Sequence, residues 1–407
     1  MVKAKRLSAV ILGLSLAATA VGCADRGAGT PEQGSQAVNL VVWESIGGPD
    51  EWLRQAGAEF TAINPDFTIE FVNVELGDTT NQIMLDGPAG VGPDLFAAPH
   101  DRLGDLIAGG HISPVEGNYL GNILDGSRMA VTSGGQVWGF PISAETYGLF
   151  YNRDLIDGTP PRSFEEVITF AREFNAANPG KFGFVMDVSN SYYNILFTSS
   201  ENNMLFGPEG TDTTNTRLNS PESAAGMQAL FSLREVLPAA SGDLDTGTVD
   251  ALFASGNAAM HITGPWNFRP FTEAGINFGV ATLPSLPGND TPAKSFSGTR
   301  VMFVSAYTRN QEAAKLFGQF LLSYDMQRLR YDITGALPVV STELGGEFGP
   351  MATGLLAQMD YAYPMPSIPQ MGRFWDIMSA ASANIWDGDG TNIQTELDAA
   401  NAAILSD

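Results

Sequence analysis

Three consecutive segments near the start of this chain set the terms for its fold. Residues 39–43 are a short apolar run rich in Val. Trp52, Leu53, Ala56, Phe60 and Ile63 then recur at helical spacing until Pro65 stops the helix, and residues 67–74 alternate like a strand. None of the three can bury its apolar face alone. A strand, a helix and a strand in this order are satisfied by a crossover that lays parallel strands side by side under the helix, so we expect an α/β architecture with parallel sheet. Later helices carry readable starts. Ser163 with Glu166 forms a capping box before a helix running towards Phe174. Ser220 followed by Pro221 places a cap and a first-turn proline before Met227, Leu230, Phe231 and Val236. No internal repeat is visible.

Composition narrows the function classes. The chain has 407 residues with 44% apolar and 10% aromatic side chains, enough for a large core and, at this length, for two domains. Against 45 Asp and Glu stand 21 Lys and Arg, of which five are Lys, giving a net charge of −24. Such a surface repels phosphate backbones and anionic headgroups, which excludes a nucleic-acid partner and a polybasic membrane binder. One Cys and three isolated His, at 100, 111 and 261, provide neither a disulfide framework nor a metal ligand set, and nothing calls for a cofactor. Gly87, Gly90 and Gly92 fit neither a dinucleotide fingerprint nor a P-loop and read as loop glycines. The Asp387 to Thr391 stretch reads as a turn between two helices, with Thr391 and Gln394 as a capping box rather than as a calcium loop. No nucleophile elbow accompanies any His, so a Ser-His-Asp hydrolase has no support.

The N-terminus is an export signal. Lys3, Lys5 and Arg6 form a positive region, and residues 7–21 are a mostly apolar run too short for a comfortable membrane span. It ends at Ala20, Val21, Gly22 and Cys23, which resembles the bacterial lipobox, whose Cys is lipidated and becomes the new N-terminus. The alternative is an ordinary signal cleaved at a nearby small residue. Residues 24–37, rich in Gly, Pro, Gln and Ser, read as a flexible tether. Acyl chains on Cys23 would supply the membrane anchoring that the acidic surface cannot. Removal of residues 1–22 takes away three cations and deepens the negative charge by three.

The chemistry that remains is carboxylates and aromatics, the residue types that recognise sugars. A pyranose offers vicinal hydroxyls to a carboxylate or an Arg, and C–H patches to an aromatic face. Taken singly, Trp43 and Trp138 read as core. Taken together, several motifs occur in order: Val41-Val42-Trp43, Gly92-Pro93-Asp94, His100 through Gly104, Pro141-Ile142 with Glu145, Tyr151 through Leu155, Gly256 with Ala259-Met260, Gly264-Pro265-Trp266, and Ile368 through Met371 with Phe374-Trp375. This set resembles the extracellular solute-binding proteins of ABC sugar importers, family 1, of which maltose-binding protein is a member. The resemblance runs from Asn39 to the C-terminus.

That resemblance implies a two-lobed periplasmic-binding-protein-like α/β fold, with a ligand cleft between lobes joined by a multi-crossing hinge. The N-terminal lobe would comprise residues 38–143 with 294–345, and the C-terminal lobe residues 144–293 with 346–407. It implies that Asp101 and Arg102 supply hydrogen bonds from the first lobe, that Glu145 takes a further hydroxyl pair, and that Trp266, Trp375 and Tyr192 stack on sugar with Tyr193 and Met365 beside them. The departures bear on the ligand. Ala98 stands where the maltose binder has a stacking Trp, Gly47-Gly48 replaces a charged pair, Asn190-Ser191 replaces a Glu-Pro, Asp376 replaces a Tyr and Ser379 an Arg. Glu44, just past the strand end, is a candidate compensating acceptor or else a solvated loop acid. The expected function is binding of an oligosaccharide, maltodextrin-like or another glucoside, by a monomeric, extracytoplasmic, lipid-anchored non-enzyme that delivers it to permease subunits. A surface-anchored glycosidase and a binder of a non-sugar solute stay open as alternatives.

Overall fold

The computed structural model describes residues 37–339 and 350–406. The export signal and Cys23 lie outside them. Eleven strands are present among the described residues: β1 (Val38–Glu44), β2 (Phe67–Asn73), β3 (Leu95–Pro99), β4 (Thr132–Ser133), β5 (Gln136–Val137), β6 (Gly139–Glu145), β7 (Gly148–Asn152), β8 (Met260–Thr263), β9 (Phe278–Ala281), β10 (Ser295–Val304) and β11 (Ala362–Pro364). The first crossover forms as its pattern predicts. β1 pairs in parallel with β2 along its length and with β3 at Val42 and Trp43, and the helix Pro49–Ile63 buries Trp52, Leu53, Ala56 and Phe60 against them. Gly57 is required in that helix because a Cβ there would lie 2.9 Å from Ile69 Cβ. Trp52 also donates its indole N–H to the Met326 carbonyl at 2.9 Å, fixing the helix Tyr324–Thr334 alongside.

Parallel pairing does not extend through the molecule. β10 runs antiparallel to β3 on one side and to β6 on the other, and only its first residues pair in parallel with β11, making a mixed six-stranded sheet. A second sheet, β8-β7-β9, is antiparallel throughout and carries a cluster of Phe150, Phe253, Phe268, Phe271 and Phe278. The expectation of parallel sheet therefore holds for the βαβ unit and not beyond it, because β7 meets its neighbours through long connections that place no crossover constraint on direction. The described residues from Ala37 onward form one compact unit with the two-lobed α/β fold of its structural neighbours.

The local signals fare unevenly. Ser163 Oγ accepts from the Glu166 amide at 3.2 Å, starting the helix Phe164–Ala177, and Ser220 Oγ accepts from the Ser223 amide at 3.1 Å, starting Pro221–Ser232. The reciprocal half of the first box goes to Arg162, whose amide donates to Glu166 Oε2. The box at Thr391 does not form. Its hydroxyl donates to Asp389 Oδ1 at 2.6 Å and Gln394 reaches the Asn219 carbonyl, so the helix Ile393–Leu405 begins after Asn392 without a side-chain cap. Gly90 is the left-handed cap of the helix Thr79–Ala89, but Gly87 lies inside that helix rather than in a loop, because the Tyr307 ring packs where its Cβ would be. Trp43 is core, and Trp138 is half-buried with its indole donating to the Ser133 carbonyl. No helix of the described residues is long and apolar enough to cross a membrane.

Candidate functional site

β3 ends at Pro99, and the next three residues turn sharply so that His100, Asp101 and Arg102 sit at the carboxyl end of the parallel strands, where open α/β sheets place their ligands. Antiparallel register sets Arg300 opposite Pro99 and so brings Thr299 beside His100. The Thr299 amide donates to His100 Nδ1 at 3.1 Å, which leaves the proton on Nε2, 3.1 Å from the Met365 carbonyl. His100 thus couples β10 to the segment that carries Met365. Burial lowers its pKa, with Asp101 opposing, and keeps the ring neutral. Asp101, almost fully buried, accepts from the Trp375 indole at 3.2 Å and lies 3.6 Å from Arg102 Nε.

These groups line a cavity of about 330 Å³ together with Glu145, Arg300, Tyr192, Trp266, Met365 and Trp375. Its aromatic side is continuous. Tyr192 lies 6.2 Å from Trp266 and 6.3 Å from Phe296, and Phe296 lies 6.0 Å from Trp375, ring centre to ring centre. Asn190 accepts from the Tyr192 amide and caps the helix Ser191–Thr198. Ser191 donates to the Trp375 carbonyl at 3.0 Å and meets Ser379 at 3.2 Å, so the helices bearing Tyr192 and Trp375 are clamped together. At the departing positions 190, 191 and 379, small polar residues thus cap one helix and fasten it to the other. Burial, then the nearby Glu145 charge, raises the Tyr192 pKa and keeps its hydroxyl protonated.

Of the sequence-derived candidates, Asp101, Arg102, Glu145, Tyr192, Trp266, Met365 and Trp375 come together around one cavity. Tyr193 does not. It is buried behind, ring to ring with Tyr147 at 5.3 Å and Trp266 at 6.5 Å. Glu44 is neither a cavity acceptor nor a solvated loop acid. It is 1% exposed and grips Arg300, with Arg300 Nε 3.2 Å from Glu44 Oε2 and Arg300 Nη2 bonded to Oε1 and, at 2.6 Å, to Ser45 Oγ. Burial opposes the charge on Arg300, and Glu44 followed by Glu145 outweighs it, raising the pKa. Arg300 and Thr299 were missed by sequence reasoning. The available signal was a lone charge in strand β10 directly before the apolar run Val301–Val304, since a buried charge demands a partner.

The cavity therefore offers carboxylate acceptors, guanidinium donors and aromatic faces within one small volume, the combination that holds a polyhydroxylated ring. Among the described residues no group of three or more His, Cys, Asp or Glu is placed to hold a metal ion. Comparison with known proteins agrees in length and in fold. A galactooligosaccharide-binding protein of Bacillus subtilis is 28% identical over 95% of this chain and 93% of its own. A maltooligosaccharide ABC transporter solute-binding lipoprotein of Streptococcus pneumoniae is 30% identical over 75% of each. Among solved structures, a cyclo/maltodextrin-binding protein complexed with maltotetraose superposes with a TM-score of 0.77 at 31% identity, over 92% of this chain and 97% of that one. The maltotriose binding protein of Thermus thermophilus bound with maltotriose gives 0.81 at 26%, over 90% and 99%. These relatives are binding proteins rather than enzymes. The model of the bacterial extracellular solute-binding protein family matches residues 44–328, and the chain belongs to that family.

Proposed function

We propose that this protein is an extracytoplasmic lipoprotein that binds an oligosaccharide between its two lobes and hands it to the permease subunits of an ABC importer. The observation that carries the reading is the meeting of Asp101, Arg102, Glu145 and Arg300 with Tyr192, Trp266 and Trp375 around one cavity. The relatives' ligands, maltooligosaccharides and galactooligosaccharides, support the substrate class. In this reading the cleft lies between residues 38–143 with 294–345 and residues 144–293 with 346–407. Closure of the lobes brings donors and π faces onto one sugar and excludes water, and hydrogen bonds and stacking that form only in the closed state shift the equilibrium towards it. Micromolar affinity needs about −8 kcal/mol, which a few charge-assisted hydrogen bonds at about 1.5–3 kcal/mol each and aromatic burial supply after ordering costs.

A thermal-shift panel of mono-, di- and oligosaccharides tests the reading, because a ligand that binds only the folded state raises its melting temperature. Maltodextrins and galactooligosaccharides should give the largest shifts. A panel with no shift, or tight binding of a polyamine or peptide instead, would overturn the sugar class. Release of shorter sugars on incubation, abolished in Glu145→Gln, would replace a binder with a glycosidase. Cys23→Ala should free the protein from membranes, and its persistence there would remove the lipid anchor.

A further inference from the structure

The chain passes from the mixed six-stranded sheet to the β8-β7-β9 sheet between β6 and β7, and back again between β9 and β10. Thr146 sits on the first passage and Ser295 at the end of the second, where they meet Gln358 of the helix Pro350–Met359. All three are fully buried. Their hydrogen bonds run in one direction. The Thr146 hydroxyl donates to the Phe296 carbonyl at 2.8 Å, so in its contact with Ser295 Oγ, also 2.8 Å, it is Ser295 that donates. Ser295 Oγ in turn accepts from Gln358 Nε2 at 3.1 Å, whose second proton goes to the Ala293 carbonyl at 3.1 Å. Gln358 Oε1 accepts from the Leu283 amide at 2.8 Å, which fixes the orientation of the side-chain amide. Every proton in this relay has an acceptor.

The helix bearing Gln358 is itself docked on the β8-β7-β9 sheet. A Cβ at Gly354 would lie 2.2 Å from the Val280 carbonyl oxygen of β9, an approach only glycine permits. Through Gln358 both passages are therefore bound to that sheet and to each other. The ladder beyond them is less regular. Gly298, which has no side chain, pairs with Glu145, and the register between β10 and β6 slips between Arg300 and Val301. Glu145, Gly298, Thr299 and Arg300 line the main cavity, so bending there moves its wall, whereas bending at the relay would break buried hydrogen bonds. We propose that Thr146, Ser295 and Gln358 are positioning residues that join the two passages into one pivot, so that closure over a ligand is a single turn about the Glu145–Gly298 pair. The assignment rests on the reading above of a sugar binder whose lobes close. None of the three lines the main cavity, so they act on affinity through the freedom of the unliganded protein. With the relay cut, the passages bend separately, and a ligand must then remove that extra freedom.

The test is calorimetric titration of the full chain with maltotriose and with β-1,4-galactotriose, on wild type, Thr146→Val, Thr146→Ser and Gln358→Met. X-ray scattering of the ligand-free and sugar-saturated protein and circular dichroism melts accompany each. Thr146→Val removes the hydroxyl at nearly the same shape, Gln358→Met removes the amide, and Thr146→Ser keeps the relay. Thr146→Val and Gln358→Met should weaken sugar binding by about fivefold or more and enlarge the ligand-free radius of gyration, while the sugar-saturated radius stays that of wild type. Thr146→Ser should match wild type in both. A packing role would lower only the melting temperature, so wild-type affinity with a wild-type ligand-free radius in Thr146→Val overturns the proposal. An equal loss of affinity in Thr146→Val and Thr146→Ser overturns it too, since the hydroxyl is then not what matters. If Gln358→Met fails to fold, Thr146→Val decides alone. A wild type that binds neither sugar removes the oligosaccharide reading, and the ligand-free radius of Thr146→Val then decides the pivot.

Discussion

The wall of the cavity that comes from the six-stranded sheet is ionic. Asp101, Glu145 and Arg300 stand there, and Arg300 is backed by the buried Glu44. The facing wall, from the helices Ser191–Thr198 and Gln370–Asp387 and the turn at Pro265–Asn267, is aromatic, with Tyr192, Trp375 and Trp266 backed by Tyr147, Tyr193, Phe296 and Phe374. The difference is one of how position is held. A charge in a low-dielectric site must be fixed by a partner of opposite charge or it destabilises the fold, so the ionic wall is bound into the folded state. An indole needs only a face to lean on, so the aromatic wall can lose a member and keep its architecture.

That contrast can be broken by substitution. Glu44→Gln should give the largest effect, a loss of about 3–5 kcal/mol of folding stability measured by urea denaturation, because Arg300 and Arg330 would stay buried without their carboxylate. A loss below about 1 kcal/mol would mean that the ionic wall is not charge-fixed. Trp375→Ala removes a stacking face and the donor to Asp101, and should weaken sugar binding by about 2 kcal/mol in titration with a modest drop in melting temperature.

Acidification sharpens the comparison further. His100 has an ordinary pKa of 6.5 that burial lowers in the folded protein, so the unfolded chain takes up the proton first. Its contribution to stability is complete above about pH 6.5 and is lost as pH falls towards the lowered folded value, at up to about 1.4 kcal/mol per pH unit. Melting curves from pH 7.5 to 5 should show this slope flattened in His100→Gln. Trp266→Ala, at a residue 38% exposed, should lower affinity by about 1 kcal/mol and leave the melting temperature nearly unchanged. Loss of stability without loss of affinity would make Trp266 a packing residue. Ser379→Ala should have the smallest effect, about 0.5–1 kcal/mol of stability, through the clamp to Ser191.

How much of this was legible depends on the range of the interaction. The βαβ opening and the caps at Ser163 and Ser220 were readable because periodicity and side chain–backbone bonds act within a few residues. The cap at Thr391 misled because Asp389, two residues away, competes for the same hydroxyl, and sequence does not rank the competitors. The cavity residues Asp101, Glu145, Trp266 and Trp375 were recovered only through the joint order of many weak motifs. Arg300 was not recovered, since its meaning lies in a partner far along the chain.

The sequence by itself determined the βαβ opening, the acidic charge, the poverty in metal ligands and the set of carboxylates and aromatics available for a ligand, all of which follow from composition and short spacing. Only the tertiary structure decided what each carboxylate does. Glu44 and Arg300 are 256 residues apart, and their pairing turns an apparent strand-end acid into a buried counterion. The burial that makes an unpaired charge costly is a property of packing, which no stretch of neighbouring residues encodes.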